Sequence, residues 1–406
     1  MKKNICYSRK DESLHTVQIG MSVLRSAIFT VLISLIGACG TTKQSTVVLP
    51  TSTKMQVETP DPVTMGIAKK PRNIILMVGD GMGITQITAG LYENNNQLNL
   101  ERCKVIGLHK PYAGNDLVTD SAAAATSFAC GVKTYNGAIG VDMDTMPVKT
   151  ILEYAEDNEL ATGLVATSTI IHATPASFVA HQPKRKMYEE IAADFLKTDV
   201  DFWVGGGKKY FDRRADKKNL LNTLKLKGYN VGTYLEGDLP TSVSQDKNYA
   251  YLTSDSDPLT KAAGRDYLVP ATKLSMNFLE NRGKGFFLMI EGSQIDWGGH
   301  ANDSDYIISE MLEFDEAIGE VLDFAEKDGE TLVIITADHE TGGYAINKGS
   351  KMGEITTGTF TSDYHTADLI PVFAYGPGAE AFAGFYENTA IFDKMMEAFG
   401  WEVEVR

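Results

Sequence analysis

Seven residues of metal-ligand type stand beside apolar runs in this chain of 406 residues. Asp80 follows residues 73–78 inside Gly79-Asp80-Gly81-Met82-Gly83. Glu291 follows 286–290, with Asp296 and His300 shortly after. Asp338-His339 follows 331–336, and His365 comes just before 370–375. Carboxylates and imidazoles are the ordinary ligands of a catalytic zinc ion. Three aspartates and three histidines suffice for two such sites, and Glu291 adds a hard oxygen suited to Mg²⁺. Singly, each residue could be a turn former, a cap or a surface group. Jointly, three of only seven histidines lie beside acids in such segments, which favours a metal centre.

A second signal is Thr119-Asp120-Ser121-Ala122-Ala123-Ala124-Ala125-Thr126. Ser121 opens an Ala-rich stretch that reads as a helix. The first amides of a helix lack internal partners and carry partial positive charge, so phosphate binds well there. Ser121 is therefore either an N-cap, the commoner use of serine at such a place, or a group that meets phosphate. No Gly-x-Ser-x-Gly elbow surrounds it, so a serine-based triad is not indicated.

The elements that must position these residues alternate from Arg72 onward. Residues 73–78, 286–290, 331–336 and 370–375 are short continuous apolar runs, as expected of parallel strands buried on both faces. Residues 164–166 are a weaker candidate. Helical spacing is clearest over 306–326 and also reads over 148–158, 185–197 and 271–281. This alternation predicts an α/β sandwich around a large, mostly parallel sheet with helices on both faces. In such folds the carboxyl ends of the strands line the ligand crevice, so the scattered acids and histidines can converge. Residues 201–267 read as an excursion from the sheet. Gly205-Gly206-Gly207 lacks the Lys-Ser/Thr of a P-loop and reads as a turn.

Composition is ordinary for a globular protein, with 43% hydrophobic and 22% charged residues and a net charge of −15. No Lys/Arg-rich field is present to displace counterions, which argues against nucleic acid as a partner. An acidic chain that handles an anion needs local positive charge from metal ions or a buried arginine. At the N-terminus, Arg25 precedes an apolar run over 27–35, too short to span a bilayer, followed by Ile36-Gly37-Ala38-Cys39. Small residues before a cysteine resemble a bacterial lipobox. The expected organisation is a signal peptide over 1–39, lipidation at Cys39, a Thr/Ser/Pro-rich tether over 40–70 and a catalytic domain over 71–406. The expected location is extracytoplasmic, in the bacterial periplasm or cell envelope, with a lipid anchor in the membrane. Translation starts at Met1 or Met21. Cys103 and Cys130 either form a disulfide or are buried thiols.

The motifs together resemble the alkaline phosphatase family over about residues 72–378. The carrying segments are Val78–Gly83, Val118–Thr126, His172-Ala173-Thr174-Pro175, His181 through Arg185, Glu291 through His300, Thr336 through Gly343 and His365-Thr366. Position by position, the resemblance implies two zinc ions and one magnesium. Asp296, His300 and His365 would hold the first zinc. Asp80, Asp338, His339 and Ser121 Oγ would hold the second. Asp80 would bridge to Mg²⁺, which also takes Thr174 and Glu291. Arg185 would bind two phosphate oxygens through its planar fork. His181, four residues before Arg185, reads as a residue that shapes its loop rather than one that acts in catalysis. The implied activity is release of inorganic phosphate from a broad range of phosphate monoesters through a covalent phosphoserine at Ser121. The implied fold is a three-layer sandwich with a reduced crown, because 338–365 is a short interval, and this leaves a homodimer open.

Two positions vary within the family. His172 stands where some members have aspartate, and Trp297 where others have lysine or histidine. A neutral indole supplies no positive charge to bound phosphate, so phosphate retention is expected to be weaker than in lysine-bearing members. The alternatives are a phosphodiesterase or phosphonate hydrolase on the same metals, and a catalytically dead surface protein that binds metal or phosphate. Arg185 favours the monoester, whose terminal phosphoryl group is a dianion. The Cys/Ser-x-Pro-x-Arg run of sulfatases is absent around Ser121.

Overall fold

The computed structural model describes residues 70–355 and 358–402. The expected signal peptide, Cys39 and all but the last residue of the expected tether lie outside the described residues. Strand β1 (Asn73–Gly79) is apolar without interruption because both its faces are covered. Ile74, Leu76 and Val78 enter one core, while Ile75 and Met77 enter the other. Further strands are β2 (Val105–Lys110), β3 (Ala161–Thr169), β4 (Phe202–Gly206), β5 (Asn230–Thr233) and β6 (Tyr249–Leu252). The remaining sheet strands are β7 (Phe286–Gly292), β8 (Thr331–Thr336), β9 (Ile370–Tyr375) and β10 (Gly384–Glu387). They form one ten-stranded sheet in the order β10-β2-β9-β8-β1-β7-β3-β4-β6-β5. Only β9 runs against the rest. The mostly parallel α/β sandwich read from the sequence is the fold observed.

Each core lies between the sheet and one helical layer. Helices Ser121–Cys130, Ile151–Asp157 and Ala390–Phe399 supply one. Helices Leu268–Glu280 and Ser304–Asp328 supply the other. Cys130 lies in the first core and Cys103 in the second, so no disulfide joins them. Both are buried, and burial pushes the Cys103 thiol up to about 12.

Register explains how the site forms. Val78 of β1 sits opposite Glu291 of β7 and Thr336 of β8. Asp80 and Asp338 are each two residues further on, so all three acids leave the same edge of the sheet. His365 precedes its strand rather than following one. Because β9 is antiparallel to β8, its amino end lies at the carboxyl ends of its neighbours.

Several expectations need correction. The span 201–267 is not an excursion, since it contributes β4, β5 and β6. Gly205 and Gly206 are strand residues, not a turn. A Cβ on Gly206 would lie 2.4 Å from Ser256 O, so glycine permits a close backbone approach; Gly207, at φ +99°, ends the strand. The helix expected over 185–197 is only Tyr188–Asp194, and Arg185 lies in the loop before it. The helix expected from 148 starts at Ile151. Thr150 caps it, accepting from Glu153 N while Glu153 reaches back to Thr150 N.

Candidate active site

Ser121 is the first residue of its helix, and the cap is Asp120. Asp120 Oδ1 accepts from Ala123 N at 3.0 Å, which leaves the serine hydroxyl available. Ser121 Oγ lies 3.4 Å from His339 Nε2. His339 Nε2 is 3.2 Å from Asp338 Oδ2 and 3.6 Å from Asp80 Oδ1. Asp80, Asp338 and His339 are completely buried, and their ligand atoms lie within 4.8 Å of one another. Burial lowers the pKa of His339 well below the usual imidazole range. Burial and the neighbouring acids raise that of Asp80. Gly81 permits this convergence: at φ +75°, a Cβ there would lie 2.6 Å from Asp296 Cα.

A second group joins Asp296, His300 and His365, again with ligand atoms within 4.8 Å. His300 Nδ1 donates to Asp363 O at 2.7 Å, and His365 Nδ1 donates to Thr119 O at 2.8 Å. These bonds leave both Nε2 atoms as lone pairs, aimed at one point. The two Nε2 atoms are 3.2 Å apart, with Asp296 Oδ1 at 3.4 Å from one and 3.5 Å from the other. Three electron-rich atoms so placed call for a cation among them. The two groups adjoin, because the His365 ring stacks on His339 at 3.5 Å between centroids.

A third group is Asp80, His172 and Glu291. Glu291 Oε2 accepts from the Ser293 hydroxyl at 2.6 Å. Burial pushes the carboxyl of Glu291 up to about 7, and the Thr174 hydroxyl faces it. Burial and the nearby Arg185 push His172 down to about 3, so it is neutral in the working range. Both oxygens of Asp80, Asp338 Oδ2, Glu291 Oε1 and His172 Nδ1 are buried without a hydrogen-bond partner. Such a concentration of orphaned ligand atoms fits bound cations.

The groups open on a cleft of about 390 Å³. Arg185 lines it, with Nη1 2.9 Å from Asp120 Oδ2 and Nη2 3.3 Å from His172 Nε2. Trp297 is half-buried and meets His172 edge-on, with ring centroids 6.1 Å apart.

The chain is similar to known proteins over most of its length. The sequence pattern of the family described as alkaline phosphatase matches residues 71–361. The chain belongs to the alkaline phosphatase family. It is 34% identical to alkaline phosphatase 3 of Bacillus subtilis, over 82% of this chain and 90% of that protein. It is 32% identical to the alkaline phosphatase of Escherichia coli, over 82% and 87% respectively. The solved alkaline phosphatase of the Antarctic bacterium TAB5 is 46% identical and superposes with a TM-score of 0.78, over 83% of this chain and all of that one. A histidine-to-aspartate variant of that enzyme is described with Mg bound in its M3 site. The protein is thus a phosphatase enzyme.

Asp80, Ser121, His172, Thr174, Arg185, Glu291, Asp296, Trp297, His300, Asp338, His339 and His365 come together in this region, whereas His181 faces Gly140 and Glu153 outside it. Two contributors escape the sequence reading. Asp120 both caps the helix and holds Arg185; its place directly before Ser121, as a preferred capping type, was the available signal. Tyr364 stacks on His365 at 4.4 Å between centroids, and nothing in its local sequence announces this.

Proposed function

We propose that the enzyme hydrolyses phosphate monoesters of broad type through a phosphoserine at Ser121, with two zinc ions and one magnesium ion as cofactors. The observation that carries this reading is the Ser121 hydroxyl on a helix N-terminus, touching the Asp80–Asp338–His339 group and sharing a cleft with Arg185. Asp296, His300 and His365 would hold one zinc. Asp80, Asp338, His339 and Ser121 Oγ would hold the other. Asp80, Thr174 and Glu291, with His172 beside them, would hold magnesium. When bound, these ions would lower the pKa of a hydroxyl or water and offset charge on the transferred phosphoryl group.

The chain's own residues do the rest. The buried Ser121 Oγ attacks phosphorus in line, and the bond to the leaving oxygen breaks. Water then cleaves the phosphoserine and frees inorganic phosphate. Arg185, held by Asp120, presents its fork to two non-bridging oxygens. A monoester offers three such oxygens and a double negative charge, and a diester offers two and a single charge. This difference favours the monoester. Hydrolysis of 4-nitrophenyl phosphate and of its bis-ester, with and without a chelator, tests the reading. Chelator-sensitive cleavage of the monoester supports it, and a preference for the diester or no hydrolysis refutes it.

The leader-like residues 1–39 support an extracytoplasmic enzyme anchored through lipid on Cys39. Cys39→Ser is then expected to release activity from the membrane fraction. Activity that stays with the membrane counts against the anchor.

A further inference from the structure

His181 lies four residues before Arg185, and its ring faces two acceptors. Nδ1 is 2.6 Å from Gly140 O and Nε2 is 3.1 Å from Glu153 Oε1. Carbonyl and carboxylate oxygens only accept, so both contacts hold together only when both ring nitrogens carry hydrogen. Gly140 belongs to a segment that pairs with the strap carrying Arg185. Ile139 and Gln182 exchange backbone hydrogen bonds of 3.0 and 2.9 Å, and Arg185 N donates to Gly137 O at 2.7 Å. Gly137 N donates to Asp120 Oδ1, whose second oxygen accepts from Arg185 Nη1. Gly140 N donates to Thr126 Oγ1 on the Ser121 helix. One frame therefore ties the guanidinium to the serine. Asp120 closes one end of it and His181 the other.

We propose that His181 is a positioning residue for Arg185, which acts through this frame on the grip of the enzyme on phosphate. The inference rests on the reading of Arg185 as the phosphate-binding residue.

The charged groups around the ring favour its charged form. Glu153 faces it from the helix Ile151–Asp157. Asp194 accepts from His181 N at 3.1 Å and pairs with Lys197 at 2.6 Å. Lys149, Glu156, Asp157, Lys197 and Asp199 line the adjoining hollow of about 590 Å³. Burial works against the charge, but Glu153, the Gly140 carbonyl and Asp194 outweigh it and raise the ring's pKa. A raised imidazole keeps its charged contacts at and below its ordinary pKa and loses them as pH climbs through the raised value. The frame then loosens on the alkaline side, and phosphate leaves more readily.

The test is the Kd of inorganic phosphate for the metal-loaded enzyme, titrated by calorimetry from neutral to alkaline pH. Dividing each variant's Kd by the wild-type value cancels the ionisation of phosphate itself. His181→Ala is expected to bind about five- to tenfold more weakly at neutral pH, with the ratio approaching one in alkali. Glu153→Gln keeps an acceptor for Thr150 N but removes the charge, and should move the wild-type transition to lower pH. A ratio of one at every pH, a ratio independent of pH, or an unshifted transition in Glu153→Gln overturns the proposal. Should His181→Ala fail to fold, Glu153→Gln decides alone. A wild-type enzyme that binds no phosphate and cleaves no monoester sinks the reading of Arg185 instead, which is a distinguishable result.

Discussion

At Ser121 two roles that compete in the sequence are divided between neighbours. Asp120 takes the cap and Ser121 keeps its hydroxyl for the cleft. The same logic applies to Trp297 and His172, which both line the cleft. Trp297 lines the cleft without a charge, so on the proposed reading phosphate would meet positive charge there from Arg185, Lys186 and the metal groups. Trp297→Lys should strengthen phosphate inhibition by about tenfold, the order expected of one added cation in a partly buried site. Unchanged inhibition constants would show that position 297 does not sense the bound anion. His172 is half-buried, neutral and beside Asp80 and Glu291. Replacing it by aspartate adds a hard anionic ligand, which favours magnesium over softer ions. Equilibrium dialysis should show tighter magnesium binding in His172→Asp. Equal or weaker binding would place the third ion away from this histidine.

The elements explain which parts of the fold are legible. Strands β1, β7, β8 and β9 are continuous apolar runs because both faces are covered, and their limits follow almost directly from the sequence. Strands β4, β5 and β6 are short and interrupted by glycine, polar residues or tyrosine, as in Asn230-Val231-Gly232-Thr233. Their pairing is set by neighbours distant in sequence, so local periodicity does not announce them. Helix starts shift for a similar reason, because a cap such as Thr150 decides them rather than the apolar spacing. The helix Ile151–Asp157 also meets β3 through Glu156, which accepts from the Thr162 hydroxyl. Burial, aided by Asp201 and Asp199, pushes Glu156 up to about 7. A raised carboxyl stabilises the fold fully below its unfolded pKa, and that contribution is lost as pH rises from about 4.5 to about 7. Glu156→Gln should therefore be stabilised over wild type by about 1–3 kcal/mol in mildly alkaline buffer, and show little difference at acid pH. Denaturant unfolding at the two pH values checks this, and a difference independent of pH would contradict it.

For the whole molecule, one sheet edge collects acids and histidines spread from position 80 to 365. The sequence shows the residue types and their place after strands. It does not show that β9 is reversed, which is what brings His365 to the same edge. Buried acids so gathered repel one another, and burial raises Asp80, Glu291 and Asp338 alike. Removing metal should lower Tm by about 5 °C or more, since any ligand of the native state stabilises it. The sign of the pH effect follows from the raised carboxyls. The metal-free protein should lose further stability as pH rises, while the loaded enzyme holds it. A Tm unmoved by chelation at alkaline pH would argue against bound ions at these acids. The most direct test of the central claim is mass spectrometry of the metal-loaded enzyme, quenched in acid during turnover of a phosphate monoester. The account predicts a phosphate covalently attached at Ser121, absent after chelation and absent in Ser121→Ala, together with a loss of turnover of about three orders of magnitude or more in that variant. Undiminished turnover by Ser121→Ala, or a phosphate attached to another residue, would contradict it.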